Sequence, residues 1–407
     1  MPVYLRRVRE YDVPTIESVF RAGLEQLGVD PAGKKSAVIK VNIVQPRKPE
    51  SGVVTHPAVV EAIINVLRGQ GVTEITIAEG PALGVDVPRA FRESGFENLA
   101  KRMGVRLLNF FEAPRTNIDI GWGYKDLPNV YRDEELQDYY CGYVPIPKVC
   151  VESDLYISVP KLKTHNRTTV SLSMKHQWGL LPYRERQSYH RIGLHEPICQ
   201  LARAVQPHII VIDGIIGLEG NGPSLGTPKR SEVMVMGTDM LESDIVGAQL
   251  MGQDPREIVH FNRAVELGVG RWETKVTGDS VAELVQPFDP APQGLKKMLN
   301  FYVWRNHRAC HLDDESFRDA FKLARSKPKY WFTFFPKFAY YAMLSRLDVV
   351  KGRSAVMPKL HGRGKILLSG DCVKELLENM EEIPPNVVYV PGCPPSPKDI
   401  IEAIIRM

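Results

Sequence analysis

From Ala37 to Phe110 the sequence alternates short apolar runs of strand length with helix-length segments whose apolar residues recur every three to four positions. The runs are Ala37–Val44, Val72–Ala78 and Val105–Phe110. Between them lie a helical pattern opening at Thr55, His56 and Pro57, with Val60, Ile63, Ile64 and Leu67 on one face, and a second over Arg89–Met103. Strands separated by helices cannot pair through hairpins. Each crossover makes the next strand parallel, and a parallel sheet needs cover on both faces. The expected fold is therefore α/β, a largely parallel sheet with helices on both faces.

The flanking segments extend the same pattern. Val3, Tyr4 and Leu5 are strand-like. Asp12 precedes a helix with Ile16, Val19, Phe20, Leu24 and Leu27 on one side, and Gly71 ends the helix opened by Pro57. Glu112–Tyr143, rich in Asp, Asn, Gly and Tyr, is expected to be a long excursion or a small β insertion. Strands are predicted at Leu155–Val159, at Ile209–Ile212 ending on Asp213, and at Val233–Met236. Helices are predicted at Pro197–Val205, Glu242–Met251 and near Pro255–Leu267. Pro287, Pro290 and Pro292 mark a linker. Gly294–Leu347 is basic, aromatic and expected to be helical. Strand Lys365–Ser369, helix Val373–Met380, strand Asn386–Val390 and helix Lys398–Ile405 form a small βαβα ending. The domains so drawn are 1–286, 287–347 and 348–407.

The 52 basic and 48 acidic residues nearly cancel, leaving +4, which argues against a nucleic-acid binder with its concentrated basic footprint. No apolar run reaches the length of about 18 residues that a spanning helix needs, and Met1–Glu10 has no apolar stretch behind it to act as a secretion signal. The six cysteines form no C-x-x-C pair, so a ferredoxin-type run and a zinc ribbon are both absent. A reducing, cytoplasmic setting is expected.

Chemistry concentrates in five segments. The first is Pro160-Lys161-Leu162-Lys163-Thr164-His165, continuing through Thr168, Thr169, Ser171 and Ser173 to Lys175-His176. It starts where the strand Leu155–Val159 ends, and ligands of open α/β sheets collect at the carboxyl ends of strands. Its lysines and histidines suit a carboxylate or phosphate, and a desolvated lysine there can act as base or nucleophile. The plainer alternative is a solvated basic loop; the strand-end position and the nearby His165, His176 and His190 favour function. The second is Asp213–Pro223, where Gly214, Gly217, Gly220 and Gly222 permit close backbone approach, and Asp213 and Glu219 can ligate a divalent cation or move protons. It lacks the Gly-Lys-Ser/Thr of a phosphate loop, and its alternative is a long turn. The third joins Lys40 and Asn42, in a strand, to Thr55 and His56 at a helix start, a combination that can hold an anion; a lysine reaching out to water is the alternative. In the fourth, Cys372 and Cys393 follow strands expected to be parallel neighbours and so can share a metal or a disulfide, or else be unrelated buried thiols. The fifth, Lys329–Leu344, is dense in aromatics and is expected to pack on its own core rather than on a membrane.

Lys40-Val41-Asn42, Ser51-Gly52-Val53-Val54-Thr55-His56-Pro57, the Pro160–His165 segment, Ser173-Met174-Lys175-His176 and Glu219-Gly220-Asn221-Gly222-Pro223 resemble the motifs of domain-of-unknown-function family 362. The resemblance spans roughly Val38 to Gly270. Many members of that family carry a bacterial-type ferredoxin module, which implies redox chemistry; this chain lacks the module's cysteine run. A shorter stretch, Pro391-Gly392-Cys393-Pro394-Pro395-Ser396-Pro397, is similar to the small cluster-binding subunit of complex I and nickel–iron hydrogenases, where the matching cysteine ligates a [4Fe–4S] cluster. The adjoining cysteine pair of that family is missing here. A looser likeness links the His- and Lys-bearing, Gly-rich segments to the nickel-pincer lactate racemases.

The reading that follows is an enzyme binding an anionic small molecule in a Lys/His-rich pocket, with redox or metal-assisted chemistry. Lys175, His165, Asp213 and Glu219 are its candidate catalytic groups. Lys40, Asn42, Thr55, His56, Lys161, Lys163, Thr164 and Asn221 are candidate ligand contacts, and Cys310, Cys372 and Cys393 are candidate metal ligands for an iron–sulfur cluster or a divalent ion. Two alternatives stay open: a non-catalytic iron–sulfur or metal-binding partner of a redox protein, and a peripheral scaffold protein.

Overall fold

The computed structural model describes residues 2–82, 84–122, 142–291, 301–305, 319–321, 323–341, 345, 347–351, 364–378, 383–392 and 395–407. The chain divides into two compact units, Met1–His190 with Leu194–Ala291, and Arg191–Gly193 with Pro292–Met407.

The strands of the first unit are β1 (Pro2–Arg7), β2 (Ser36–Val41), β3 (Glu74–Glu79), β4 (Arg106–Asn109), β5 (Arg115–Asp119), β6 (Tyr143–Pro147), β7 (Leu155–Val159), β8 (Lys161–His165), β9 (Thr169–Ser171), β10 (Ile209–Glu219), β11 (Thr227–Gly237) and β12 (Lys275–Gly278). The main sheet runs β12-β1-β11-β10-β7-β2-β3-β4, with β8 and β9 joined to β10 off this path. Its centre is parallel: β10 on β7, β7 on β2, β2 on β3 and β3 on β4. β11 is antiparallel to both β10 and β1. The α/β fold with a mostly parallel sheet thus follows from the alternation in the first hundred residues. β5 and β6 form a separate antiparallel pair, the small β insertion.

Period-two alternation sorts the strand residues between the two faces. Ile39, Val41, Ile157, Val159, Ile209 and Val211 join one hydrophobic core with Ile16, Phe20 and Leu24 of the helix Val13–Leu27 and Val60, Ile63, Ile64 and Leu67 of the helix Pro57–Gly69. Asp12 caps the first of these helices, accepting from the Thr15 N–H at 3.0 Å, and Gly28 ends it in the left-handed region. The intervening positions Lys40, Tyr156 and Ser158 face the other side, where Ser158 meets His176 and Tyr156 meets Gln177.

Two sequence expectations are corrected by the structure. The helix expected over Arg89–Met103 is two helices, Val87–Glu93 and Phe96–Met103, broken at Ser94 and Gly95, because Gly95 sits at φ +82°. The strand expected to stop at Asp213 runs on to Glu219 and pairs with β11, so the Gly-rich segment is mostly strand rather than loop. A Cβ on Gly217 would lie 2.8 Å from the Leu162 carbonyl oxygen, so this glycine serves close strand packing. The segment after Pro160, to which the sequence pattern assigns no element, contributes the strands β8 and β9, so the alternative of a solvated basic loop does not hold.

The second unit has a four-stranded parallel sheet in the order β13 (Phe301–Arg305), β14 (Leu347–Lys351), β15 (Lys365–Ser369) and β16 (Val387–Val390). The stretch 287–347 is therefore not helical throughout: Phe301–Arg305, an aromatic and β-branched run, supplies a strand to the same sheet as the C-terminal unit. Ile400, Ile401 and Ile404 of the helix Pro397–Arg406 pack with Tyr330, Phe334 and Tyr341 in its core. The aromatic segment was expected to be buried. Tyr330, Phe334 and Tyr341 are, but Trp331 and Phe332 are 56% and 86% exposed. No helix among the described residues is long and apolar enough to cross a membrane.

Candidate functional site

Two lysines of the sheet are held by carboxylates. Lys161, at the start of β8, lies in register with Asp213 on β10, and its Nζ donates to Asp213 Oδ2 at 2.7 Å and to Tyr11 Oη at 2.8 Å. Asp213 also accepts from Tyr11 Oη at 2.9 Å and from the His56 N–H at 3.0 Å, while His56 stacks on Tyr11 with ring centroids 3.6 Å apart. Lys161 and Asp213 have no exposed side-chain surface. Burial lowers the Lys161 pKa and the Asp213 charge pulls it back up. Burial and the adjacent carboxylate both push Tyr11 well above its usual range. The Lys161 ammonium, the Asp213 carboxylate and the Tyr11 hydroxyl are thus satisfied by one another, and in that sense the network is closed.

Lys40, on β2, donates to Glu79 Oε2 at 2.6 Å, again with both side chains buried. Gly179 lies directly over the pair, where a Cβ would fall 2.7 Å from Lys40 Nζ and 2.9 Å from Glu79 Oε2; only glycine lets this backbone approach. Lys163 has no carboxylate. Its Nζ donates to Asn42 Oδ1 at 2.5 Å and to the Val53 carbonyl at 3.0 Å, and burial, reinforced by the neighbouring Lys161 and Lys175, drives its pKa well below the usual lysine range. Thr55 ties the loop to the sheet, accepting from the Asn42 N–H at 2.9 Å and donating to the Val159 carbonyl at 2.7 Å.

Beside these groups lies a cavity of about 250 Å³, lined among others by Asn42, Glu79, His165, Ser171, Lys175 and Arg186. Lys175 sits in the short helix Ser173–His176, whose first turn is fixed by buried Asp244. Asp244 accepts from the Ser173 N–H at 2.7 Å, from the Met174 N–H at 2.9 Å and from the Ser173 hydroxyl. Burial, partly offset by these bonds, raises its pKa to about 7. His176 anchors the same turn to the sheet. Its Nε2 lies 3.0 Å from the Val41 carbonyl, which can only accept, so Nε2 carries the proton and Nδ1 accepts from the Ser158 hydroxyl at 2.8 Å. Burial holds His176 neutral, well below its ordinary pKa.

Lys175 differs from the other three lysines. Its Nζ stands 4.9 Å over the Trp178 ring, and no hydrogen-bond acceptor meets it among the described residues. Burial, then the charges of Arg186, Arg167 and Lys40, bring its pKa to about 7. Arg186 is buried too. Its Nη groups donate to the carbonyls of Gly80 at 3.1 Å, Gly179 at 3.0 Å, Leu181 at 3.0 Å and Pro81, and its guanidinium lies 4.9 Å from the Phe111 ring centroid. No carboxylate bonds to it among the described residues, and burial brings it down to about 10. The cavity thus gathers Lys175 and Arg186 beside one lining carboxylate, Glu79, which the buried Lys40 already engages. Such a wall favours an anion.

The family model described as Domain of unknown function (DUF362) matches residues 37–249, the stretch that contains both lysine clusters and the cavity. The chain belongs to the DUF362 family. The thylakoid-associated protein sll1697 of Synechocystis sp. is 23% identical over 288 residues, which cover 68% of this chain and 82% of that one. The solved lactate racemase apoprotein from Thermoanaerobacterium thermosaccharolyticum superposes at a TM-score of 0.34 with 13% identity, over 96% of this chain and 83% of the other.

Of the residues singled out from sequence, the DUF362 domain brings Asn42, His165, Ser171, Lys175 and His176 to the cavity. Lys161, Asp213, His56 and Tyr11 are joined in the closed network, and Lys163 and Thr55 in the packing between it and the cavity. Thr164 donates to the Gly220 carbonyl at 2.8 Å, within the strand crossing. Glu219 lies apart, bound to Lys229 at 2.8 Å and to the Asp289 N–H at 3.0 Å; burial raises its pKa, but these two bonds and the Lys229 charge outweigh it and leave the group lowered. Asn221 follows it in the same hairpin, its carbonyl accepting from the Leu225 N–H at 3.1 Å. β15 and β16 are parallel neighbours, with Ser369 in register with Val390. Cys310 and Cys393 and the side chains of Cys372 and His190 lie outside the described residues, and among those described no cluster of three His, Cys, Asp or Glu side chains can hold a metal ion. Sequence reasoning missed Glu79, Arg186, Trp178, Asp244 and Tyr11. Glu79 alone left a signal, a carboxylate closing the apolar run Ile75–Ala78 beside the strand that carries Lys40.

Proposed function

We propose that the DUF362 domain is an enzyme of small-molecule chemistry that holds an anionic ligand, a carboxylate or a phosphate, in the cavity beside Lys175. The reading rests on one observation: Lys175 lines the cavity and its Nζ has no hydrogen-bond acceptor among the described residues, while the three sheet lysines Lys40, Lys161 and Lys163 each have at least one. An uncompensated ammonium in a partly enclosed space is costly, and an anion bound there would offset that cost. Arg186 adds a fixed positive charge, Asn42 and Ser171 add neutral polar groups, and the neutral histidine at His176 keeps the turn in place. Lys175 and His165 are the candidate catalytic groups of this cavity; Asp213 and Lys161 are assigned to structure. The free thiols of Cys150 and Cys199, both buried, fit a reducing compartment such as the cytoplasm.

Calorimetry with sulfate and with propionate, two anions with no ketone or aldehyde group to react, tests the reading. Lys175→Gln should weaken both by roughly tenfold or more, since a charge-assisted hydrogen bond contributes about 1.5–3 kcal/mol. Equal affinity in the wild type and the variant would contradict it.

A further inference from the structure

The four lysines near the sheet ends are chemically unequal. Lys40 is bound to Glu79 and Lys161 to Asp213, and Lys163 is bound to two neutral oxygens. An amine so engaged has its nitrogen surrounded by acceptors and cannot present a lone pair to an incoming carbon. Lys175 has a cavity in front of it instead, with the Trp178 ring on one side and the apolar Ile43, Val44 and Pro81 among the other walls. The volume, about 250 Å³, lies below the range of roughly 300–1,000 Å³ typical of drug-sized ligands, which limits the occupant to a small molecule.

We propose that Lys175 is a covalent nucleophile that forms a protonated imine with the carbonyl carbon of a small 2-oxo acid, whose carboxylate lies in the positive field of Arg186. This deepens the reading above and rests on it, because the carboxylate is what brings the carbonyl to the amine. Neutral Lys175 Nζ attacks the carbonyl carbon, and a C–N bond forms as the carbonyl π pair moves to oxygen. A proton passes from nitrogen to that oxygen, and a second proton allows it to leave as water. The remaining nitrogen lone pair closes the C=N bond. One water is released, and no electrons are gained or lost, so neither oxidant nor reductant takes part. The second proton is supplied by solvent, to which the partly open cavity gives access. The lowered pKa of Lys175, about 7, leaves a large fraction of the amine neutral near neutral pH, where a solvated lysine is neutral in only about one molecule in a few thousand.

The test traps the imine. The full chain is incubated separately with pyruvate, 2-oxobutyrate and 2-oxoglutarate in the presence of cyanoborohydride, which reduces an imine to a stable secondary amine, and the labelled peptides are read by mass spectrometry. With at least one of the three acids, Lys175 should be labelled at pH 7 roughly tenfold or more faster than exposed Lys101. Its labelling rate should rise with a midpoint near pH 7 instead of near pH 10. Lys175→Arg, which keeps the charge but removes the primary amine, should lose this adduct. If none of the three acids labels Lys175 above the level of Lys101 in a protein that binds sulfate, the imine is overturned and the anion site stands. If sulfate does not bind either, the anion reading fails with it.

Discussion

On the side of the sheet covered by the helices Val13–Leu27 and Pro57–Gly69, Lys161 is bound by Asp213 and Tyr11. On the side of Lys40 and Ser158, Lys175 stands at a cavity with no acceptor among the described residues. Both regions bury positive charge close to strand ends, and sequence alone ranks them together. What separates them is whether the fold supplies the counter-charge. Where Asp213 is delivered by the neighbouring strand in register with Lys161, the lysine is a structural pin. Where the fold withholds a carboxylate, the lysine keeps a lowered proton affinity and an open valence for something from solution.

If this contrast is right, damage to the two regions should read out differently. The largest effect belongs to the closed network. Asp213→Ala leaves Lys161 buried without its partner and should destabilise the protein by about 3–5 kcal/mol in denaturant titrations. Replacing both, Lys161→Met with Asp213→Leu, should recover much of that loss. Equal destabilisation by the single and double variants would show that packing, and not charge pairing, holds this face.

In the open region a substitution should instead stabilise. Below pH 7 Lys175 is charged in the folded and unfolded states alike, and the folded state bears the cost of burying that charge. Lys175→Met removes the cost and should raise stability at pH 6 by a few kcal/mol, at most about 5 kcal/mol for a fall from 10.5 to about 7. Between pH 7 and the ordinary lysine range near 10.5 the folded amine is already neutral and the unfolded one is losing its proton, so the advantage should shrink steadily and vanish above that range. A loss of stability that is constant with pH would place Lys175 among the structural pins. The smallest effect is expected at Glu219. Its pair with Lys229 is partly solvated and lies apart from both networks, so Glu219→Gln should cost no more than about 1 kcal/mol and leave sulfate affinity unchanged.

The part of this arrangement that sequence revealed is local. Strand and helix periods are written in neighbouring residues, and Asp12, Pro57 and the apolar run Ala37–Val44 announce their elements without reference to anything distant. The segment Lys161–His176 was correctly marked as chemically dense, but its period as a strand sends Lys161 and Lys163 to internal acceptors, while His165, Ser171, Lys175 and His176 reach the cavity. Partner choice was illegible because it depends on register between distant strands: Glu79 is 39 residues from Lys40, and Asp213 is 52 from Lys161. Asp213 and Glu219 were grouped together as one possible cation or proton-transfer pair beyond a strand end, whereas β10 continues through both and carries them to different surroundings. Arg186 comes from the strongly polar helix Tyr183–Ile192, in which no apolar pattern marks one charged residue as the one turned inward.

The most direct test is the titration of the Lys175 amine itself, followed by nuclear magnetic resonance of lysine side chains labelled at the terminal carbon and nitrogen, with Lys175→Arg to assign the signal. In the free protein the midpoint should fall near pH 7, and saturating sulfate should move it upward, because a bound anion favours the ammonium. A midpoint near 10.5 that sulfate leaves in place would contradict the account, since Lys175 would then be an ordinary solvated lysine and the cavity would have no claim on an anion.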